Sequence, residues 1–246
     1  MTPETQTRHD GEVTAELGAW KGATRIFLQP LAAPSILGLF GFAGATFMVA
    51  AHQAQWFGNP HSPTFLFPFA AMFGGLAQFL AGMWAYKVRD AVATAAHGTW
   101  GAFWLGYGIL QLLAANGTIV LPTNGKFVEL GYWFLVLAGI TTSTAIAALG
   151  ENLGIFLVLS TLAAGSAFSA IGFLTTGTTW EQVGGWVFIA SAWIAWYVGT
   201  AMLLASAWGR VVLPLGKFER RANVPGSRFT QPIEFEYGEP GVRQGQ

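Results

Sequence analysis

Few side chains inside the apolar stretches of this 246-residue sequence could do chemistry, and those few are uncharged. Gln78, between Ala77 and Phe79, carries a primary amide with four hydrogen-bonding sites. It is suited either to lining a solute path or to clamping two helices. His52 stands at the end of an apolar stretch, where it can cap a helix or stand at a pore mouth. Hydroxyls are more numerous: Thr46, Thr99, the run 141–144, Ser160, Thr161, Ser166, Ser169 and Ser191. In a helix such groups usually bond a carbonyl one turn back. Zero cysteines exclude thiolate metal sites, disulfides and cysteine nucleophiles. No nucleophile–base pair, metal-ligand cluster or phosphate loop stands out, so no catalytic residue, metal or cofactor is expected, and an enzyme is the least expected class.

These groups must be positioned by apolar elements. Hydrophobic residues make up 53% of the chain and charged residues only 10%, far below the quarter typical of soluble domains. Net charge is zero, with no basic stripe to neutralise phosphates, so nucleic acid is not an expected partner. About 20 apolar residues without charge make a membrane-spanning helix. Six windows qualify: Leu31–Ala51, Phe65–Tyr86, Gly98–Asn116, Leu130–Gly150, Leu153–Thr175 and Val183–Trp208, none containing Asp, Glu, Lys or Arg. The expected fold is therefore an all-α membrane protein of six transmembrane helices in a lipid bilayer. His52 is the one group expected to titrate near neutral pH, and the absence of carboxylates from the windows argues against a buried proton relay.

Basic residues orient the spans. Arg8, Lys21, Arg25, Lys87, Arg89, Arg210, Lys217, Arg220, Arg221, Arg228 and Arg243 all fall on one side, against Lys126 alone on the other. Both termini are thus expected in the cytoplasm. The first 25 residues lack the pattern of a cleavable signal, so the first span is expected to target the chain to the inner (plasma) membrane. Three regions follow: a cytoplasmic N-terminal segment 1–29, a six-helix domain 30–209 and a cytoplasmic tail 210–246. Within the first, Val13–Leu28 reads as an interfacial helix or as an unstructured tail. Glycine and alanine in spans two and three (Gly74, Gly75, Ala77, Gly82, Gly98, Gly101, Gly106, Gly108) suit close helix contacts, chiefly within one subunit. Six short helices leave little room for walls and lumen, so the path is either narrow or formed at subunit contacts. Amides, hydroxyls and aromatics along it suit a small weak acid or neutral solute.

Four motifs in order then resemble the acetate uptake transporter family, the YaaH-like succinate–acetate permeases. The stretch Ala33-Pro34-Ser35-Ile36-Leu37-Gly38-Leu39 resembles the family's Asn-Pro-Ala-Pro-Leu-Gly-Leu signature. Gly74-Gly75-Leu76-Ala77-Gln78-Phe79-Leu80-Ala81-Gly82 is similar to its Gly-Gly-x-Ala-Gln-x-x-Ala-Gly pattern. Gly101-Ala102-Phe103-Trp104-Leu105 and Gly209-Arg210-Val211-Val212-Leu213-Pro214-Leu215-Gly216 resemble its third-span and closing motifs. The resemblance covers Ala32 to Gly216. It implies a homo-hexamer of six-helix subunits, each passing acetate or a similar short carboxylate, succinate included. It also implies a hydrophobic constriction at Phe42, Trp100 and Leu162, with Pro34, Leu37 and Gln78 along the substrate path and His52 at the pore mouth.

The departures remove polar handles for a carboxylate. Ala33 replaces the signature Asn, Ile36 its second Pro, Trp100 the usual Tyr, Ala50 a usual Asn, and Ala85 and Met202 acidic residues. Two other functions therefore compete with carboxylate passage: a channel for neutral solutes such as ammonia, and a non-transporting scaffold or sensor.

Overall fold

A computed structural model describes residues 32–59, 61–122 and 126–217. They belong to a compact unit that begins at Ala32, so the expected N-terminal segment, with its interfacial helix or tail, lies outside the described residues. So does the tail beyond residue 217.

Among the described residues the architecture is all-helical. Helix α1 spans Pro34–Gln53, with proline at its first turn, where the missing N–H costs nothing. A long rod follows, made of α2 (Ser62–Phe69), a π-helical segment (Ala70–Ala77) and α3 (Gln78–Val88). Next come α4 (Ala91–Ala115), α5 (Val128–Ala148), α6 (Leu153–Thr175) and α7 (Thr178–Trp208). Five of these units are long and apolar enough to cross a membrane: α1, the rod Ser62–Val88, α5, α6 and α7. Helix α4 has the length, 25 residues or roughly 37 Å, but Thr94, His97, Thr99 and Gln111 make it less apolar. Together with apolar, outward-facing surfaces such as Trp133, Trp193 and Trp196, this is an integral, multi-pass membrane protein.

Helix α4 starts seven residues before the window that the sequence suggested. The reason is local: the Asp90 side chain caps the helix by accepting from Ala93 N–H at 2.7 Å. Arg89, in the left-handed region at φ 58°, closes α3 immediately before it. At the other turn of this end, Asn152 caps α6 by accepting from Ile155 N–H at 2.9 Å. The closing motif completes that cap, because Leu215 and Gly216 carbonyls accept from Gly154 and Leu153 N–H at 3.0 and 3.1 Å. Tyr197 O–H holds the same motif by donating to the Pro214 carbonyl at 2.8 Å. Four backbone N–H groups are orphaned at any helix start, and here carbonyls of the closing motif satisfy two of them.

The rod packs tightly between α1 and α4. A Cβ on Gly41 would meet the Phe73 carbonyl oxygen at 2.5 Å, and one on Gly82 would meet the Gly98 nitrogen at 2.7 Å. Close approach of backbones through small residues is how helices cohere in lipid. Gly106 is the exception among the expected packing glycines, with open space beside it. It lies in an apolar groove of about 520 Å³ between α4 and α5, lined by Phe103, Trp133 and Ile140 among others.

Candidate functional site: two cavities meeting at Trp100

The helix ends gather two sets of side chains around a central aromatic cluster. At one end a cavity of about 30 Å³ is lined by Ser35, Leu39 and Phe42 of α1, Gln78 of α3, and His97 and Trp100 of α4. Leu159 and Leu162 of α6 and the carboxyl-bearing Asp90 and Glu151 complete its wall. At the other end a cavity of about 40 Å³ is lined by Thr46, Gln53, Trp104, Tyr107, Phe134, Phe173 and Phe188, among others. Each has room for only one or two waters. Among the described residues Trp100 is the one that lines both.

Trp100 is held firmly. Its indole N–H donates to Thr141 Oγ1 of α5 at 3.0 Å, both residues being buried. Phe42, Phe103 and Phe188 meet it edge-on, with centroids 6.4, 5.4 and 6.3 Å away. Edge-to-face contacts of this kind favour one ring orientation over others. Trp100 is thus a fixed aromatic standing between two small cavities.

The polar groups around these cavities are only partly satisfied. Gln78 is 2% exposed, yet its Oε1 has no hydrogen-bond partner. His97 is 5% exposed and its Nδ1 has none either. In the opposite cavity, buried Thr46 Oγ1 and Trp104 Nε1 are likewise unpartnered. Such groups cost free energy unless something enters to pair with them. Burial, with the neighbouring Asp90 carboxylate as the lesser cause, pushes the Glu151 carboxyl up to about 7.

Comparison with known proteins now identifies the architecture. A family model described as GPR1/FUN34/yaaH matches residues 19–219. The chain belongs to the GPR1/FUN34/yaaH family. It is 28% identical over 189 residues to the succinate-acetate/proton symporter SatP of Escherichia coli K12, covering 76% of this chain and 96% of that one. Acetate permease A of Emericella nidulans is 26% identical over 206 residues, covering 77% of this chain and 67% of the permease. The solved structure of the bacterial acetate channel SatP superposes with a TM-score of 0.70 at 26% identity. That match covers 76% of this chain and all of the channel. The resemblance read from the motifs is thus correct at the level of the family, and the relatives named here are described as a symporter, a permease and a channel.

Within this GPR1/FUN34/yaaH fold the candidate residues fall into two groups. Phe42, Gln78, Trp100 and Leu162 come together on one cavity wall. Pro34 and Leu37 do not line it, and Leu37 faces outward at 47% exposure, because α1 turns the cavity-facing side to Ser35, Leu39 and Phe42. His52 lies at the far end of α1, where its Nδ1 is 3.2 Å from the Phe57 carbonyl in the following loop. Five of the candidate hydroxyls, Thr142, Ser143, Thr144, Thr161 and Ser166, bond one turn back, as Thr144 does to Ile140 and Ser166 to Leu162 at 2.8 Å each. Ser191 instead reaches across to the Val158 carbonyl at 2.8 Å.

Two readings of the sequence need correction. The histidine that lines a cavity is His97 and not His52: it is buried inside α4, and the window beginning at Gly98 missed it by one position. Nor does the absence of carboxylates from the apolar windows keep them from the cavity. Asp90 and Glu151, which sit in turns outside the apolar windows, are brought to the cavity by the ends of α4 and α6. Gln53 was also missed. Its amide donates to Ser169 Oγ at 2.8 Å and the Glu181 carbonyl at 2.9 Å, tying α1 to α6 and α7.

Proposed function

We propose that this chain is a permease for acetate and similar short monocarboxylates, with one narrow path through each subunit. The observation that carries this reading is the pair of small cavities that share Trp100. Their size fits small solutes, and Phe42, Trp100 and Leu162 supply an apolar neck between polar groups. Helix α4 completes six crossings in this reading, since its length suffices and it lines both cavities. The acidic cavity opens towards the cytoplasm of the inner membrane, because Lys87, Arg89 and Arg210 lie at that end. A homo-hexamer, with the α4–α5 groove among the surfaces available for contact, agrees with the open space beside Gly106.

The test is uptake of labelled acetate by proteoliposomes, corrected for protein-free vesicles, with methylamine as a parallel solute. Protein-dependent acetate uptake is expected, and Gln78→Ala is expected to lower it about tenfold, the worth of one hydrogen bond to a charged or strongly polar group. Uptake of methylamine alone would assign the path to amines. Uptake of neither would leave a non-transporting membrane protein.

A further inference from the structure

The acidic cavity holds two buried polar side chains whose hydrogen-bonding capacity the fold leaves unused. Gln78 Oε1 and His97 Nδ1 are both unpartnered, both side chains are more than nine-tenths buried, and both line the same space next to Trp100. His97 and Trp100 stand three residues apart on α4, one above the other on a single face. The space is shaped tightly around this pair. A Cβ on Gly38 would stand 2.5 Å from the His97 ring, so the glycine of the α1 signature leaves room for the imidazole.

A glutamine amide and a neutral imidazole each offer one kind of group that donates and one that accepts. A carboxylate accepts only, so it would use half of that capacity. Asp90 and Glu151 line the same cavity, and no Lys or Arg does so among the described residues. A carboxylate set against the Gln78 Oε1 acceptor in this apolar enclosure brings acceptor against acceptor and finds no Lys or Arg among the described wall residues to pair with, which is heavily penalised. An uncharged group that both donates and accepts meets no such penalty and pairs both orphaned atoms. Two small head groups have that chemistry: a protonated carboxylic acid and a primary amide.

We propose that Gln78 and His97 form a subsite that takes an uncharged donor–acceptor head group, so that this path accepts protonated short acids and short primary amides. It rests on the permease reading for its place in a transport path, but the binding itself can be measured without transport. For an acid, the solute proton stays on the solute: the carboxyl O–H donates to one member of the pair while its carbonyl accepts from the other.

The experiment uses the purified full chain in detergent with ¹⁵N-labelled histidine, whose four side chains are resolved, His97 being assigned by its loss in His97→Gln. Acetamide at pH 7 and acetate at pH 5 and pH 7 are the probes. Acetamide is expected to shift the His97 ring signals at pH 7. Acetate is expected to do so about tenfold more effectively for each pH unit lowered towards its carboxyl range, following the neutral fraction. Gln78→Leu is expected to weaken both probes at least tenfold while the other histidine signals keep their positions. An unmoved His97 with acetamide, or equal shifts by acetate at pH 5 and pH 7, overturns the subsite. In proteoliposomes the matching expectation is acetamide uptake that a potassium diffusion potential leaves unchanged. Shifts without any flux would uphold the subsite and remove the permease reading, so the two fail separately.

Discussion

The two cavities on either side of Trp100 share walls from α1, α4 and α6 and are of similar size, yet their chemistry is opposite. One is walled by aliphatic residues with Gln78, His97, Asp90 and Glu151 around its rim. The other is walled by aromatic rings, with Thr46 Oγ1 and the Trp104 N–H as unpartnered groups and no carboxylate on its wall among the described residues. The indole N–H of Trp104 is a donor only, and a hydroxyl can also donate, so this second cavity suits an acceptor such as a carboxylate oxygen. The acidic cavity suits an uncharged head group instead. The contrast teaches that a bundle without a single charge inside its apolar windows can still be polarised end to end, by residues that cap and connect the helices.

Changes at the shared residue should disturb this comparison most. Trp100→Ala removes a buried indole and is expected to cost about 3–5 kcal/mol of stability while joining the cavities. Uptake of a larger acid, succinate, relative to acetate should rise in proteoliposomes. An unaltered ratio would show that Trp100 is not the constriction. Thr141→Val is milder. It leaves the Trp100 N–H buried without its acceptor, an expected loss of about 1–3 kcal/mol visible in thermal unfolding, with partial loosening of size selectivity.

Glu151→Gln probes the acidic side alone. The Glu151 carboxyl titrates near 7 in the fold, above the ordinary glutamate value, because burial and Asp90 disfavour its charge. The raised value means that the fold is favoured while the group is protonated. That advantage is complete below the ordinary value of 4.5 and is lost as pH rises through 7. Glu151→Gln should therefore unfold at higher temperature than the parent at pH 8, with the difference shrinking below pH 5. A constant difference across pH would remove Glu151 from the set of titrating groups. The smallest effect is expected at His52, whose ring contacts the Phe57 carbonyl in a loop outside both cavities. His52→Ala should change acetate uptake less than twofold, whereas a large loss would extend the path to that loop.

The helices were legible because apolar length without charge is a strong, local signal: Leu153–Thr175 in the structure coincides with its window, and α1 and α5 shift by only a few residues. Helix α4 was legible only from its third turn onward, because its start is built on Asp90, Thr94 and His97, residues that a search for apolar runs rejects. Phe42, Trp100 and Leu162, which we propose as the constriction, were named through the family resemblance, as was Gln78, and all four line one cavity. Phe188, Asp90 and Glu151 were not, since their roles depend on which helix ends become neighbours. The π-helical segment Ala70–Ala77 was equally hidden. It ends immediately before Gln78, and such segments alter the rotation of the residues that follow them.

The division of the path at Trp100 can be tested most directly with thiols, because the chain has no cysteine of its own. Ser35→Cys places a thiol in the acidic cavity and Thr46→Cys places one in the aromatic cavity. A small, membrane-impermeant thiol reagent should modify Ser35→Cys only from the cytoplasmic face and Thr46→Cys only from the opposite face. Adding Trp100→Ala should make each thiol reachable from both faces. Modification of either single variant from both sides, with Trp100 in place, would contradict the account.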